Sequence, residues 1–246
     1  MSGPVALHGG GEFQAGDEPF LRRVLELATA VGGEPVRVVL VPTAAARGRP
    51  HLVGAHGTEA FERVAAMASP EPIEIVVEVV SVVDATSATD PASASRLAAA
   101  DLIHLPGGDP DLIPSILRGT SAWDAILAAH ARGAVLAGAS AGAMALAPWT
   151  WTPGGGIQGL GLVPGLVVVP HAGASTWAQA LGRFRRGVPD GLGALGVAER
   201  TAAISRPDEP GVWDVVGTGE VRWLAAGANP DSTLVVAPGG SLRLPG

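Results

Sequence analysis

The sequence predicts one α/β domain in three layers, in which a mostly parallel sheet is flanked by helices on both faces. Short apolar runs of strand length alternate with stretches of helical periodicity, a pattern typical of parallel strands that are buried on both faces. Several of these runs end in glycine-rich turns, where sheets of this kind place their sites. The chain has 246 residues, 47% hydrophobic and 16% charged, which supplies a sizeable core and argues against disorder.

The predicted elements follow in a strand–helix order. Pro4–Leu7 is an apolar run that ends in a histidine and three glycines, and Val36–Val41 is a second run closed by a proline. Between them, Glu18–Val31 places its apolar side chains in one helical stripe. The later predicted strands are Ile73–Val83, Leu102–Leu105, Ala134–Ala137 and Leu166–Val169. The later predicted helices are Thr58–Ala68, Ser93–Ala99, Asp111–Arg118, Ala122–Ala131, Ala141–Ala147 and Thr176–Arg186.

The pattern changes after about residue 190. Val212–Val216, Glu220–Leu224 and Thr233–Val236 are short apolar runs separated by glycine, asparagine and proline turns, which predicts antiparallel strands. We expect these strands to form an edge extension of the same domain. The predicted organisation is therefore a single α/β domain over residues 1–246, with an antiparallel C-terminal extension from about residue 190.

Composition excludes several classes of function. The chain has no cysteine, so disulfides, thiolate metal sites and cysteine nucleophiles are excluded. It also has no lysine, which excludes Schiff-base chemistry. The net charge is −7 and no basic stripe is present, so nucleic acid is not expected as a partner. No cofactor or metal is expected.

The apolar segments are too short to cross a membrane. A spanning helix needs about 20 apolar residues, and the most apolar runs, Val36–Val41 and Ile73–Val83, are shorter. The first residues lack the basic region and long apolar stretch of a signal peptide. We therefore expect a soluble, cytoplasmic protein.

The strongest chemical motif is centred on Ser140. Gly138-Ala139-Ser140-Ala141-Gly142 fits the pattern G-x-S-x-G, with a predicted strand before it and a predicted helix after it. This nucleophile elbow holds a serine on a sharp turn that needs small neighbours. The alternative is a tight turn that only packs a helix against a strand.

A serine nucleophile needs a general base, and six histidines are available. His171 follows the apolar strand Leu166–Val169, at a strand end where catalytic groups gather. It is the preferred base. The other histidines are His8 and His104 at strand ends, His51 and His56 in a predicted loop, and His130 in a predicted helix.

A lipase-like interpretation is attractive but fails on chain order. His8-Gly9-Gly10-Gly11 matches the HGGG oxyanion motif of lipases and esterases, but it follows the first strand instead of the third. That fold also needs an acid and then a histidine after the serine. No Asp or Glu lies between Ser140 and His171, and no histidine follows His171. An esterase-like α/β hydrolase is therefore the less favoured alternative.

A series of short motifs spans nearly the whole chain. They are Gly9–Glu12, Val41–Ala44, Leu105–Asp109, Gly138–Ala143, Gly159–Gly165, Pro170-His171, Gly196–Ala202 and Val215–Gly219. In this order and spacing they resemble peptidase family S51, the dipeptidase E and cyanophycinase group. The resemblance implies a class I glutamine amidotransferase-like fold and serine-type hydrolysis of a small peptide or amide.

The resemblance also implies roles for particular residues. Ser140 would be the nucleophile and His171 the base, and backbone N–H groups of Gly107 or Gly108 and of Ala141 would form the oxyanion hole. Glycines suit that role because they allow close backbone approach. Glutamine amidotransfer is disfavoured, because that chemistry needs a cysteine.

The acid of the triad is the point at which this chain departs from the family. Family members that cleave peptides usually carry an Asp or Glu between the serine and the histidine, and this chain has Gln158 in that region. Three acids elsewhere are candidates: Glu199 first, then Glu12 and Asp109. A dyad without an acid is the further alternative. The missing acid also supports a second hypothesis, a catalytically silent member of the fold that binds a small molecule.

The substrate determinants predicted from sequence are few. Trp149 and Trp151 are candidates for the wall of a substrate pocket, although tryptophans in loops also cap cores. Glu12 and Asp109 are candidates for substrate contacts, and Arg183 is a candidate for binding a carboxylate. Cyanophycin is disfavoured, because the arginines that follow the histidine in cyanophycinases are not matched here. A homodimer is a possible assembly.

Overall fold

The computed structural model describes residues 2–184 and 187–245, with the side chains of residues 183 and 184 outside the described part. The helices are α1 Glu18–Gly32, α2 Pro50–Ala66, α3 Ala85–Ala88, α4 Pro91–Ala98, α5 Leu112–Leu117, α6 Ser121–Ala131, α7 Ala141–Leu146 and α8 Ala174–Phe184. The strands are β1 Val5–His8, β2 Val36–Leu40, β3 Ile75–Val79, β4 Leu102–Leu105, β5 Val135–Ala139, β6 Trp149–Thr152, β7 Gly155–Gln158, β8 Leu166–Val169, β9 Gly193–Val197, β10 Thr201–Ser205, β11 Val212–Gly217, β12 Val221–Leu224, β13 Leu234–Val236 and β14 Ser241–Arg243.

The main sheet has eight strands in the order β14-β11-β10-β1-β5-β4-β2-β3. The five neighbouring strands β1, β5, β4, β2 and β3 are parallel to one another. Strands β10, β11 and β14 add an antiparallel edge next to β1. The predicted α/β class with a mostly parallel sheet is therefore confirmed. Because β1, β4 and β5 are parallel neighbours, their carboxyl ends lie at the same edge of the sheet.

A second sheet packs beside the first in the order β13-β12-β9-β8. In it β8 and β9 are parallel, while β12 and β13 are antiparallel to their neighbours. The strands beyond residue 190, assigned by the sequence to one edge extension, thus divide between the two sheets. The prediction of a single domain stays a prediction.

Alternate residues of the central strands enter two separate cores. On one face Ala6, Val38 and Leu102 pack against α1 and α2. On the other face Leu7, Val39 and Ile103 join the core that includes α6, α7 and the second sheet. Both faces of the parallel strands are therefore covered, which explains why these strands are continuous apolar runs.

Helix α2 begins eight residues earlier than the predicted start at Thr58, at Pro50. His51 and His56, predicted to lie in a loop, are in this helix. Two glycines misled the sequence analysis, because each has a packing role in the helix. A Cβ at Gly54 would lie 2.8 Å from a methyl of Val79, and one at Gly57 would lie 2.7 Å from Leu40.

Within the described residues, no helix combines the length and the apolar character needed to cross a membrane.

His104 of β4 is fully buried, and neither ring nitrogen has a hydrogen-bond partner in the described part of the chain. Three phenylalanines surround the ring, with Phe13 nearest at 5.1 Å between centroids. Burial, with a smaller contribution from His8, lowers the pKa of His104 to about 3. The imidazole therefore behaves as a neutral aromatic core group.

This burial predicts a pH-dependent loss of stability. Above the unfolded-state pKa of about 6.5, neither state binds a proton at His104. Between pH 6.5 and about pH 3, His104 binds a proton in the unfolded chain but not in the folded protein. The free energy of unfolding therefore falls as the pH is lowered toward about 3. Between pH 7.5 and pH 5.0 this group alone accounts for a loss of about 2 kcal/mol. In the His104→Leu variant the decrease is expected to be smaller by that amount, as measured by urea denaturation. Equal pH dependence of the two proteins would contradict the prediction.

Candidate active site

Ser140 occupies the sharp turn between β5 and α7. Its φ is 48° and its ψ is −111°, a backbone conformation that residues other than glycine rarely adopt. The flanking glycines make the turn possible. A Cβ at Gly138 would lie 2.6 Å from the backbone of Gly142, and a Cβ at Gly142 would overlap the carbonyl oxygen of Leu105. The half-buried serine therefore stands at the carboxyl end of the sheet with its hydroxyl accessible.

His171 follows β8 of the second sheet and faces Ser140. The Ser140 Oγ and His171 Nε2 atoms are 3.0 Å apart, within hydrogen-bond distance. His171 also has a positive φ of 54°, and its carbonyl oxygen accepts a hydrogen bond of 2.7 Å from the Thr176 hydroxyl. The histidine is thus held in place at the start of α8, with about half of its side chain exposed.

Glu199 contacts the other side of the same imidazole. Its Oε1 atom is 2.9 Å from Nδ1 of His171. Strands β8 and β9 are parallel, with Val169 paired with Gly196, so both chains leave the sheet at the same edge. Two residues after Val169 and three residues after Gly196, the histidine and the glutamate meet. The structure thus brings together Ser140, His171 and Glu199, the first-choice acid of the sequence analysis.

Three consecutive residues at the end of β1 connect these side chains. The carbonyl of His8 accepts a hydrogen bond from the Ser140 N–H, and that of Gly9 accepts one from the His171 N–H. The carbonyl of Gly10 accepts a 2.7 Å hydrogen bond from the N–H of Arg200, next to Glu199. Residues 8–10 are therefore a common backbone support for the serine, the histidine and the glutamate.

A buried His–Asp pair holds this support in place. His8 Nε2 lies 2.8 Å from Asp17 Oδ1, and both side chains are fully buried. The Gly10 N–H donates to His8 Nδ1 at 3.3 Å, and the Phe13 N–H donates to Asp17 Oδ2 at 2.9 Å. Since Nδ1 accepts, Nε2 carries the proton that is donated to Asp17. The roles of His8 and Asp17 have only a weak signal in the sequence, namely a histidine before three glycines and an acid nine residues later.

The oxyanion-hole candidates separate into two kinds. The N–H of Gly107 donates to Glu12 Oε1 at 2.7 Å, so this donor already has an acceptor, and its role in the oxyanion hole stays a prediction. Within the described part of the chain, no acceptor is assigned to the N–H of Gly108 or to that of Ala141. A Cβ at Gly108 would overlap the carbonyl oxygen of Ala44, which explains the glycine at this position. Gly108 and Ala141 remain the candidate donors.

The other two candidate acids are bonded to groups other than His171. Glu12 accepts the hydrogen bond from Gly107 and lines a separate cavity of about 270 Å³ with His56. Asp109 faces Arg47 at 3.5 Å, and the same guanidinium forms two shorter bonds to Asp111. These bonds hold the pKa of the Asp111 carboxyl below its usual value. Neither Glu12 nor Asp109 contacts the imidazole.

A cavity of about 360 Å³ opens at Ser140 and His171. Of the two candidate tryptophans, Trp151 lines the cavity and Trp149 does not. Trp149 is the first residue of β6 and is buried in the core. A Cβ at Gly156 of β7 would overlap its ring. The Arg183 side chain, and Arg185 and Arg186, lie outside the described residues. Gln158 accepts a hydrogen bond of 2.6 Å from the Arg118 guanidinium.

Comparison with known proteins gives a family match and similar solved structures. Residues 5–206 match the sequence profile of Peptidase family S51. A peptidase from an acI-B1 Actinobacterium superimposes with a TM-score of 0.81 at 24% identity, over 99% of this chain and 98% of that one. A putative peptidase E protein from Listeria monocytogenes EGD-e gives a TM-score of 0.59 at 18% identity, over 89% of this chain and 99% of that one. No curated protein matches the chain.

Proposed function

The chain belongs to peptidase family S51, and from this premise we propose that it hydrolyses an amide bond in a small peptide or amide substrate. Ser140 is the nucleophile and His171 is the general base. The observation that carries the proposal is the continuous arrangement of Ser140 Oγ, the His171 ring and Glu199 Oε1, with separations of 3.0 and 2.9 Å. This is the geometry of an activated nucleophile whose base is oriented by a third group.

The first half of the reaction forms an acyl-enzyme. Ser140 Oγ attacks the carbonyl carbon of the substrate while His171 Nε2 accepts the hydroxyl proton. The N–H groups of Gly108 and Ala141 stabilise the negative charge that develops on the carbonyl oxygen. His171 then donates its proton to the leaving nitrogen, the C–N bond breaks, and the amine departs.

In the second half, water releases the acyl group. His171 accepts a proton from the attacking water, whose oxygen forms a bond to the acyl carbon. The tetrahedral intermediate collapses as Ser140 Oγ leaves and takes the proton back from His171. Glu199 keeps Nδ1 protonated and stabilises the imidazolium in both halves, so that Nε2 faces the serine as the proton acceptor.

The position of Glu199 supports an active enzyme over a catalytically silent member of the fold. The silent hypothesis rested on the lack of an acid between Ser140 and His171. Glu199 supplies a carboxylate at Nδ1 from the turn between β9 and β10. A turn that only packs a helix against a strand needs neither a strained serine nor a histidine opposite it. The elbow has both, together with two backbone N–H donors.

A fluorophosphonate probe tests the proposal directly. Such a probe reacts with an activated serine, and mass spectrometry is expected to locate the adduct on Ser140. Labelling should disappear after heat denaturation, because the reaction requires the assembled site. A folded sample, verified by circular dichroism, that takes up no label at Ser140 would overturn the proposal.

A further inference from the structure

The cavity beside Ser140 has mainly apolar walls. It starts at the hydroxyl of Ser140 and the ring of His171 and extends between α7 and α8. Its apolar lining comes from six side chains: Pro110, Ala141, Met144, Trp151, Pro170 and Ala180. Its volume of about 360 Å³ is near the lower limit for small-molecule pockets, which suits a single residue side chain better than a polymer.

The polar groups of the cavity are neutral or already bound. The Thr176 hydroxyl donates to the carbonyl of His171. Gln179 is exposed at the mouth and carries an uncharged amide. Apart from the catalytic imidazole, no described lining side chain is ionisable.

No described arginine lines the cavity, and two of them are bound elsewhere. Arg47 is paired with Asp111 and Asp109, and Arg222 with Glu220 and the carbonyl of Ala172. A substrate carboxylate entering the cavity would therefore lose water without gaining a described cation. Burial of an unpaired charge is strongly unfavourable, whereas an apolar side chain gains from leaving water.

We propose that this cavity selects an uncharged, apolar side chain on the substrate residue next to the scissile bond, and rejects Asp and Glu. Leucine and methionine are examples of side chains with the required size and lack of charge. The inference rests on the proposed function, because it assumes that Ser140 is the nucleophile. It assigns Trp151 to the wall of the specificity pocket and Gln179 to its mouth.

The rate of Ser140 labelling by paired phosphonates measures this selectivity without a known substrate. Two diphenyl aminoalkylphosphonates are compared, one with the leucine side chain and one with the aspartate side chain, and a plain fluorophosphonate serves as reference. We expect the leucine probe to react at least about 100-fold faster than the aspartate probe. Equal rates, or faster reaction of the aspartate probe, would overturn the inference while leaving the proposed function intact. No labelling by any of the three probes would reject the proposed function and this inference with it.

Two variants locate the selectivity in the cavity. Gln179→Arg places a cation at the mouth and is expected to raise the rate of the aspartate probe about 10-fold. Ala178→Arg adds the same charge at an exposed neighbour on α8 that does not line the cavity, and should leave the ratio of the two rates unchanged. Equal effects of the two variants would contradict the assignment.

The Arg183→Gln variant tests the opposite specificity, a preference for an acidic side chain. If the wild-type protein prefers the aspartate probe and Arg183→Gln removes that preference, the arginine supplies the missing cation. The cavity would then be an acidic-residue pocket, and the inference would be wrong. If Arg183→Gln leaves the leucine preference in place, the apolar walls account for the selectivity.

Discussion

Replacing Glu199 by glutamine is expected to lower kcat on the order of 10³-fold, with little change in KM. Glu199 Oε1 accepts from His171 Nδ1 across 2.9 Å, and an amide can present an N–H there and favour the wrong imidazole tautomer. In a buried serine triad the equivalent change costs about 10⁴-fold. Here both side chains are about half exposed, so water partly replaces the lost acceptor and the expected loss is smaller.

The measurement for Glu199 is steady-state hydrolysis, with Ser140→Ala as the background rate. Asp109→Asn is the matched control, because it removes the charge of another candidate acid that faces Arg47 instead of His171. It should keep its rate within about 3-fold, the range of a screened surface charge. If Glu199→Gln retained the wild-type rate, the base would act without an acid and the site would be a dyad.

Replacing Gly10 by alanine is expected to lower kcat by about 10²-fold or more in a protein that still folds. A Cβ at Gly10 would lie 2.9 Å from Nε2 of His171 and overlap the adjacent Cε1 atom. The ring must then shift from its position against Ser140, and a displacement of about 1 Å is enough for a loss of this size. The φ of Gly10 is 108°, which adds backbone strain.

Gly33→Ala separates the strain from the contact. Gly33 also has a positive φ, 75°, but no atom lies within 4 Å of a Cβ built there. We expect both variants to lose about 1–3 kcal/mol of stability from backbone strain, and only Gly10→Ala to lose activity. Thermal unfolding and hydrolysis rates, measured on the same samples, distinguish the two effects. Equal activities of the two variants would show that the contact with the ring is unimportant.

Much of the fold was predictable because the central strands are buried on both faces. Continuous apolar runs located β1, β2, β4, β5 and β8 to within about two residues, and the α1 stripe located its helix. The start of α2 was missed because Gly54 and Gly57 resemble loop residues, and a sequence does not show which glycines face a neighbouring side chain. The partition of the last strands between two sheets depends on pairing between distant segments, which has no local signal.

By itself, the sequence determined the α/β class, the position of Ser140 on a strand-to-helix turn, and the exclusion of cysteine and lysine chemistry. These properties depend on residue type and short-range periodicity. Tertiary structure alone decided which carboxylate meets His171, which loop N–H is left for an oxyanion, and which tryptophan lines the cavity. The physical reason is register: parallel pairing of β8 with β9 brings residues 28 positions apart to one sheet edge. The same close packing directs the carboxylate of Glu12 to Gly107 and places Trp149 in the core.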